Sequence, residues 1–315
     1  MSSECRAVGS REAGGAVRRC WGFFQGGCPT VRPLRLGLPK GRMQAGLTGL
    51  MADAGIRVQV GERGYRPSIS LPGYEVKLLK PQNIIEMLHQ GTRDIGFAGA
   101  DWVAELKADV EEVLDTGLDP VTMVAAAPLS ILEDGQLPRR HLVIASEYQR
   151  LTTQWMQDSG LDADFVRSYG ATEVFPPEDA DCIVDIAATG ATLEANSLAI
   201  VHRLMKSSTR LYVHKGVMQD AARRDMVETF VMLLRSVLEA RGRVMVEINV
   251  GPDALETLVK VLPCMREPTV SPLHGQAGFA VKVAVPRSDL PHLIPIVKRH
   301  GGTDIVVTAL AQIIP

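Results

Sequence analysis

The chain has 315 residues, 46% of them hydrophobic and 22% charged, enough for a sizeable core in two or three domains of roughly 100–200 residues each, which excludes wholesale disorder. Its formal net charge of −2 excludes a generally basic nucleic-acid-binding surface, so an anionic ligand has to be held by local groups. No apolar run reaches the ~18 residues of a membrane span, and Cys5, Cys20, Cys28, Cys182 and Cys264 form no CxxC pair, which points to a reducing, cytoplasmic compartment without a disulfide framework or zinc knuckle.

Residues 1–33 are rich in glycine and arginine, contain only Glu4 and Glu12 as acids, and show no periodicity. They read as a disordered N-terminal arm. A secretory apolar region of at least ~7 residues is missing; the alternatives are a transit peptide, or a start site set too far upstream with the true start near Val31.

From there strands and helices alternate. "PLRLGLPKG" (33–41) is a strand entering a Lys-Gly-Arg turn, "MQAGLTGLMADAG" (43–55) a helix closed by Gly55, and "IRVQVG" (56–61) a strand. "YEVKLLK" (74–80) is a strand, and Pro81 opens a helix that Gly91 ends. "RDIGFAGADWVAEL" (93–106) is a strand, a glycine turn and a helix start; "VTMVAAAP" (121–128) and "HLVIAS" (141–146) are buried strands, the second followed by a helix; "ADFVRSYG" (163–170) is a strand. "DCIVDIAATGATLEAN" (181–196) reads as a strand, a turn and a helix continuing to about Met205, with Leu193, Ile200, Val201 and Leu204 at helical spacing. "TRLYVHKG" (209–216) is a strand and Asp220–Ala240 a long helix. Short apolar strands alternating with helices imply parallel α/β layers.

After Arg241 the order becomes β-α-β-β-α-β, the ferredoxin-like arrangement. Pro295 sits in its second helix and is expected to kink it.

The 181–196 stretch carries the most chemistry. Strand alternation puts Cys182, Val184 and Ile186 on one sheet face and Ile183 and Asp185 on the other. The turn Ala188–Thr189–Gly190–Ala191–Thr192 then lies at the C-terminal end of a strand and the start of a helix, the edge where open α/β sheets bind ligands. Backbone N–H groups and threonine hydroxyls there suit a phosphate monoester, and Asp185 suits ribose hydroxyls or a magnesium ion bridging them. An ordinary capped helix fits the same residues. Lys40 and Arg42 in "LPKGR" are cations able to clamp a diphosphate or triphosphate, or a solvated basic turn; Arg66, Lys77 and Lys80 share that ambiguity. Asp101 is either a cap or a cleft residue, and Glu173 in "GATE" either binds a sugar hydroxyl or is merely exposed. No HExxH, GxSxG or P-loop pattern is present.

"DCIVDIAATGATLEANSL" resembles the signature of the ATP phosphoribosyltransferase family, roughly D-x-I-x-D-x-x-x-[ST]-G-x-T-L-x-x-N-x-L. Asp181, Ile183, Asp185, Thr189, Gly190, Thr192, Leu193, Asn196 and Leu198 match it. "LPKGR", "GTRDIGFAGADWV" and "GATE" follow the family's order, and "LPCMREPTVSPL" resembles the loop of the long form's regulatory domain. Cys264 stands where the family often has glycine, Asn83 near a common aspartate, and the N-terminal arm has no counterpart.

The resemblance implies a bilobal catalytic core like the type II periplasmic binding proteins plus an ACT-like ferredoxin-fold regulatory domain. The expected division is 34–124 with 209–240 for lobe I, 125–208 for lobe II and 241–315 for the regulatory domain. It further implies condensation of ATP with 5-phosphoribosyl 1-diphosphate, with Mg2+, to N1-(5-phosphoribosyl)-ATP in histidine biosynthesis, under feedback inhibition by histidine. On that basis Ala188–Thr192 hold the 5-phosphate, Asp185 and more weakly Glu173 the ribose hydroxyls, and Lys40, Arg42 and Lys80 phosphates, with Asp101 near the cleft. Thr269 and Ser271 belong to the histidine loop. Dimers associating into hexamers are implied, with no separate regulatory subunit. The competing reading is a non-catalytic solute-binding or ligand-sensing protein of the same bilobal fold.

Overall fold

The computed structural model describes residues 32–61, 64–263 and 267–314. The N-terminal arm with Cys5, Cys20, Cys28 and Val31 lies outside the described residues, as does Cys264.

The chain enters through β1 (Leu34–Pro39) and α1 (Arg42–Asp53), which turns Leu47, Leu50 and Met51 inward. β2 (Val58–Gln59) and β3 (Ser68–Ile69) form a small antiparallel ribbon. β4 (Tyr74–Leu79) lies parallel to β1 and is followed by α2 (Pro81–His89), β5 (Ile95–Gly99) and α3 (Ala100–Leu106). Pro81 suits the first turn of α2 because no intrahelical partner exists for its missing N–H. Gly96 lets α2 lie flat on the sheet: a Cβ there would come within 2.5 Å of Ile84 Cγ2.

β6 (Glu111–Pro128), β7 (Leu142–Ser146), α4 (Gln149–Asp158), β8 (Ala163–Arg167), β9 (Cys182–Ala187), α5 (Ala191–Ala195), β10 (Leu198–Val213), α6 (Lys215–Gln219) and α7 (Ala221–Arg241) follow before the last unit. Among the described residues the strands form an eight-stranded sheet in the order β4-β1-β5-β10-β6-β9-β7-β8. The groups β4-β1-β5 and β9-β7-β8 are internally parallel. The two long strands β6 and β10 run antiparallel to each other and connect the groups: β10 pairs with β5 over Thr209–Val213, and β6 with β9 over Thr122–Ala126. Their pairing slips between Ser207 and Thr209 and again between Thr209 and Arg210, opposite the left-handed Gly117 (φ 64) and Asp119 (φ 47). The result is two α/β lobes on one sheet with an irregular crossing between them. Among the described residues no helix is long and apolar enough to cross a membrane.

Three expectations are corrected here. The helix expected to reach Met205 ends at Ala195, and Ile200, Val201 and Leu204 belong to β10. Ser197 adopts a left-handed φ of 56 and stops the helix; the segment then gains hydrogen-bonded neighbours along β6 that a surface helix would lack. The sheet is mixed, because both crossing strands run against their neighbours. The strand expected over 56–61 shrinks to Val58–Gln59, which among the described residues pairs with β3 alone.

The last unit comprises β11 (Arg243–Val250), α8 (Leu255–Val261), β12 (Thr269–Pro272), β13 (Phe279–Pro286), α9 (Leu290–Arg299), which contains Pro295, and β14 (Thr303–Ala309). Its antiparallel order β12-β13-β11-β14 is that of a ferredoxin-like sheet. Val244, Val246, Ile248 and Val250 alternate onto the face covered by Leu258 of α8 and by Leu293 and Val297 of α9.

A buried ion cluster ties the first lobe together. The Asp94 carboxylate, 1% exposed, accepts from the Arg35 backbone N–H at 2.8 Å and from Arg35 Nη2 at 2.7 Å, and lies 2.7 Å from Arg223 Nη2 of α7. Burial by itself raises the Asp94 pKa, but the arginines and the N–H outweigh it and leave the value at about 2.

Candidate functional site

β9 has the expected alternation. Cys182 and Val184 pack with Met123, Ile144 and Tyr148, while Ile183 packs on the opposite face with Val124, Ala145 and Leu193. At Asp185 the strand leaves the core and the chain turns through Ala188–Gly190 into the short α5. Gly190 takes φ 86, a left-handed geometry that favours glycine. Leu193, 6% exposed, anchors α5 beneath the turn, and the Gly190 carbonyl accepts the Glu194 N–H at 3.0 Å. Ala188, Thr189, Ala191 and Thr192 all face solvent, Thr189 Oγ1 accepting a long 3.4 Å contact from the Ala191 N–H. Small residues, two outward hydroxyls and free backbone N–H groups therefore converge on one turn.

Asp185 stands at the base of that turn. Its Oδ1 accepts the Ile186 N–H at 2.7 Å. Burial pushes its pKa up to about 6, the charges of Glu173 and Glu147 add to the rise, and the Ile186 N–H only partly offsets it. Glu173 comes from a single 3-10 turn, Thr172–Val174, whose Thr172 hydroxyl meets that of Ser168 at 2.7 Å. Asp185, Glu173 and Glu147 thus lie close enough for their charges to act on one another. No group of three or more His, Cys, Asp or Glu side chains among the described residues is arranged to hold a metal by itself.

Lys40, Arg42 and Asp101 line a single cavity of 240 Å³ together with Asp119, Ser207 and, from β9, Ile186; Asp185, Glu173 and Ala188–Thr192 are not part of that lining. The structure thus brings the first-strand turn, the second glycine turn and the end of β9 to one place. Lys40 rests 3.8 Å above the Tyr65 ring, a cation–π contact that fixes its amine near the cavity mouth. Lys80 occupies the residue before α2, exposed and outside this lining.

Asp101 does not cap its own helix. It is 3% exposed; Ser207 Oγ–H donates to Oδ1 at 2.5 Å and Tyr148 Oη–H donates to Oδ2 at 2.8 Å. Burial raises the Tyr148 phenol pKa strongly, and Asp101 adds to it, so the tyrosine stays a donor. Gly99 is obligatory there, since a Cβ would fall 2.1 Å from Asp101 Oδ1. Ser207, Tyr148 and Asp119 were not singled out from the sequence. Ser207–Ser208, two polar residues interrupting apolar strand halves, were the available signal, hidden by reading the preceding segment as helix. Thr269 and Ser271 lie on β12, both exposed.

The family model described as ATP phosphoribosyltransferase matches residues 80–236, and that of the HisG C-terminal domain matches residues 240–312. The chain is 37% identical over 289 residues to an ATP phosphoribosyltransferase of Pelotomaculum thermopropionicum, covering 90% of this chain and 99% of the relative. It is also 37% identical over 279 residues to that of Chlorobaculum parvum, covering 86% and 94%. Among solved structures, the ATP phosphoribosyl transferase (HisG:HisZ) complex from Thermotoga maritima shares the fold, with a TM-score of 0.58 and 24% identity over 65% of this chain and 98% of that one. The chain belongs to the ATP phosphoribosyltransferase family, in the long form that carries the additional C-terminal domain.

Proposed function

We propose that the β9 turn and the cavity facing it are the two halves of the active site. The reaction of the family is the first step of histidine biosynthesis, the joining of ATP to 5-phosphoribosyl 1-diphosphate, and it is the reaction of this chain. In it the adenine N1 forms a bond to C1 of the ribose, the C1–O bond to diphosphate breaks, and diphosphate leaves with the bonding pair. The observation that carries the site reading is the juxtaposition of an exposed, hydroxyl-bearing glycine turn with the half-buried Asp185 at its base. That pairing matches a sugar phosphate: the N–H groups and hydroxyls of Ala188–Thr192 take the 5-phosphate, and Asp185, seconded by Glu173, accepts the ribose hydroxyls. Lys40 and Arg42, with Lys80 at the rim, offset the phosphate charge of ATP or the leaving diphosphate. Asp101, held from both sides, shapes the cavity wall.

Asp185 and Glu173 would hold Mg2+ only together with substrate oxygens, since the carboxylates are too few for a closed protein site; the chemistry such an ion would supply is charge neutralisation of the leaving diphosphate. The chain's own residues position both reactants and stabilise the positively polarised ribose, work done by preorganised charge rather than proton transfer.

We assign the lobes to 34–124 with 209–240 and to 125–208, with 241–315 regulatory. Because that C-terminal domain belongs to the same chain, the reading requires no separate regulatory subunit; dimers that associate into hexamers complete it. Thr269 and Ser271 are the proposed histidine contacts. The experiment is diphosphate release from ATP, phosphoribosyl diphosphate and Mg2+, with and without histidine. Turnover that histidine inhibits in the wild type, and inhibits at least about tenfold less potently in Thr269→Ala, is expected; undiminished inhibition of that variant removes the effector assignment, and no turnover by folded protein removes the site reading.

A further inference from the structure

α3 and α4 meet end to end across the seam between the lobes. Glu105, in the last turn of α3, is 7% exposed. Its Oε1 accepts the Arg150 N–H at 2.8 Å and its Oε2 accepts the Leu151 N–H at 3.0 Å, two first-turn amides of α4. In return the Arg150 guanidinium reaches back. Its Nε donates to the Ala104 and Glu105 carbonyls at 3.1 and 3.0 Å, and its Nη2 donates to the Ala104 carbonyl as well. Amides at a helix start and carbonyls at a helix end have no intrahelical partners. A cap usually comes from an adjacent residue of the same chain segment. Here each helix caps the other across 45 residues of sequence, with the carboxylate at a positive helix end and the guanidinium at a negative one.

Both helices lead straight to the site. The first turn of α3 carries Asp101, in the cavity wall. α4 follows Tyr148, whose N–H donates to Ser146 Oγ at 2.9 Å, while Ser146 Oγ–H donates at 2.6 Å to the Val184 carbonyl, the peptide just before Asp185. Rotating α4 on α3 therefore moves the Asp185 loop relative to Lys40, Arg42 and Asp101. The β6–β10 ladder shifts register at the crossing but stays paired from Leu198 to Val213, and the Tyr148–Asp101 hydrogen bond spans the same seam, so the two reciprocal caps act alongside these restraints in setting the angle.

We infer that Glu105 and Arg150 are positioning residues that set the angle between the two substrate-binding halves, an inference that rests on the site reading above. Bond formation between adenine N1 and ribose C1 needs the atoms about 3–3.5 Å apart and aligned, and a displacement of about 1 Å costs on the order of a hundredfold in rate. Each half alone still binds its own ligand.

The test uses the full chain with Glu105→Gln, which keeps one acceptor where two are needed, and Arg150→Gln, which leaves the Glu105 cap of α4 in place. Calorimetric titration with Mg2+ and phosphoribosyl diphosphate alone is expected to give a Kd within about twofold of wild type, while kcat falls by about tenfold or more and both KM values hardly move. Wild-type kcat in both variants, whatever their melting temperature, overturns the inference and leaves two local caps. An affinity loss as large as the kcat loss also overturns it, because it shows damage to one half rather than misalignment. Should Glu105→Gln not fold, Arg150→Gln carries the test. Asp185→Asn run alongside separates the two ideas: undiminished affinity for phosphoribosyl diphosphate in that variant refutes the site reading, whereas unchanged kcat in the two positioning variants refutes only the coupling.

Discussion

Asp185 is a carboxylate kept where charge is unwelcome. Its folded-state pKa of about 6 lies above the value of about 3.9 expected in the unfolded chain. Folding therefore favours the protonated form, so the unfolded state holds fewer protons between those values and stability falls as pH rises from about 4 to 6, then levels off. The penalty above pH 6, on the order of 1–3 kcal/mol, is relieved when hydroxyl donors or a cation arrive. Asp185→Asn is accordingly expected to melt higher than wild type at pH 8 and no higher at pH 4. For the wild type, kcat/KM for phosphoribosyl diphosphate is expected to rise through pH 6 to a plateau, because only the carboxylate accepts two hydroxyls. A profile flat from pH 5 to 8 would show that the ionisation of Asp185 does not matter. The strand-to-turn geometry of this loop was legible in sequence, with Asp185 at the end of the strand and Gly190 in the turn, while its residues by themselves fitted an ordinary capped helix as well as a phosphate. The partners of Asp101 were not legible, since Ser207 lies 106 residues away and meets it only through the sheet.

Elements with clear local signals were read correctly: α2 from Pro81 at its start and Gly91 at its end, and β9 from its alternation. β10 was not. Leu193, Ile200, Val201 and Leu204 suit a helical stripe, yet Asn196–Ser197 is itself a stop, and strand pairing on β6 wins once the fold is closed. Local spacing cannot report a neighbour supplied from 70 residues upstream. The Arg35–Asp94–Arg223 cluster was equally invisible, its members being scattered between β1, the start of β5 and α7. With a folded pKa of about 2 against about 3.9 unfolded, Asp94 stabilises the fold above pH 4 and loses that contribution as pH falls towards 2. Asp94→Asn strands two partly buried guanidinium groups and is expected to cost about 3–5 kcal/mol at pH 7, read by urea unfolding. The deficit should shrink as the pH is lowered through 4 towards 2; a pH-independent deficit would assign the loss to packing.

At the scale of the whole molecule, the chain is two α/β lobes on one sheet followed by a ferredoxin-like unit. In the proposed reading, two lobes joined by crossing strands suit a reaction between two large anions, one substrate held by each lobe and the two brought together at the seam. Fold alone does not choose between this and a passive solute-binding protein. The choice rests on relatives that share its family over nine-tenths of the chain. The central claim is that this turn grips phosphoribosyl diphosphate through its hydroxyls and through Asp185. Its most direct test is calorimetric titration of that ligand with Mg2+ into wild type, Thr192→Val and Asp185→Asn, with circular dichroism confirming that all three are folded. Saturable one-site binding by wild type and affinities at least about tenfold weaker in both variants are the predicted result; equal affinity in all three would contradict the account.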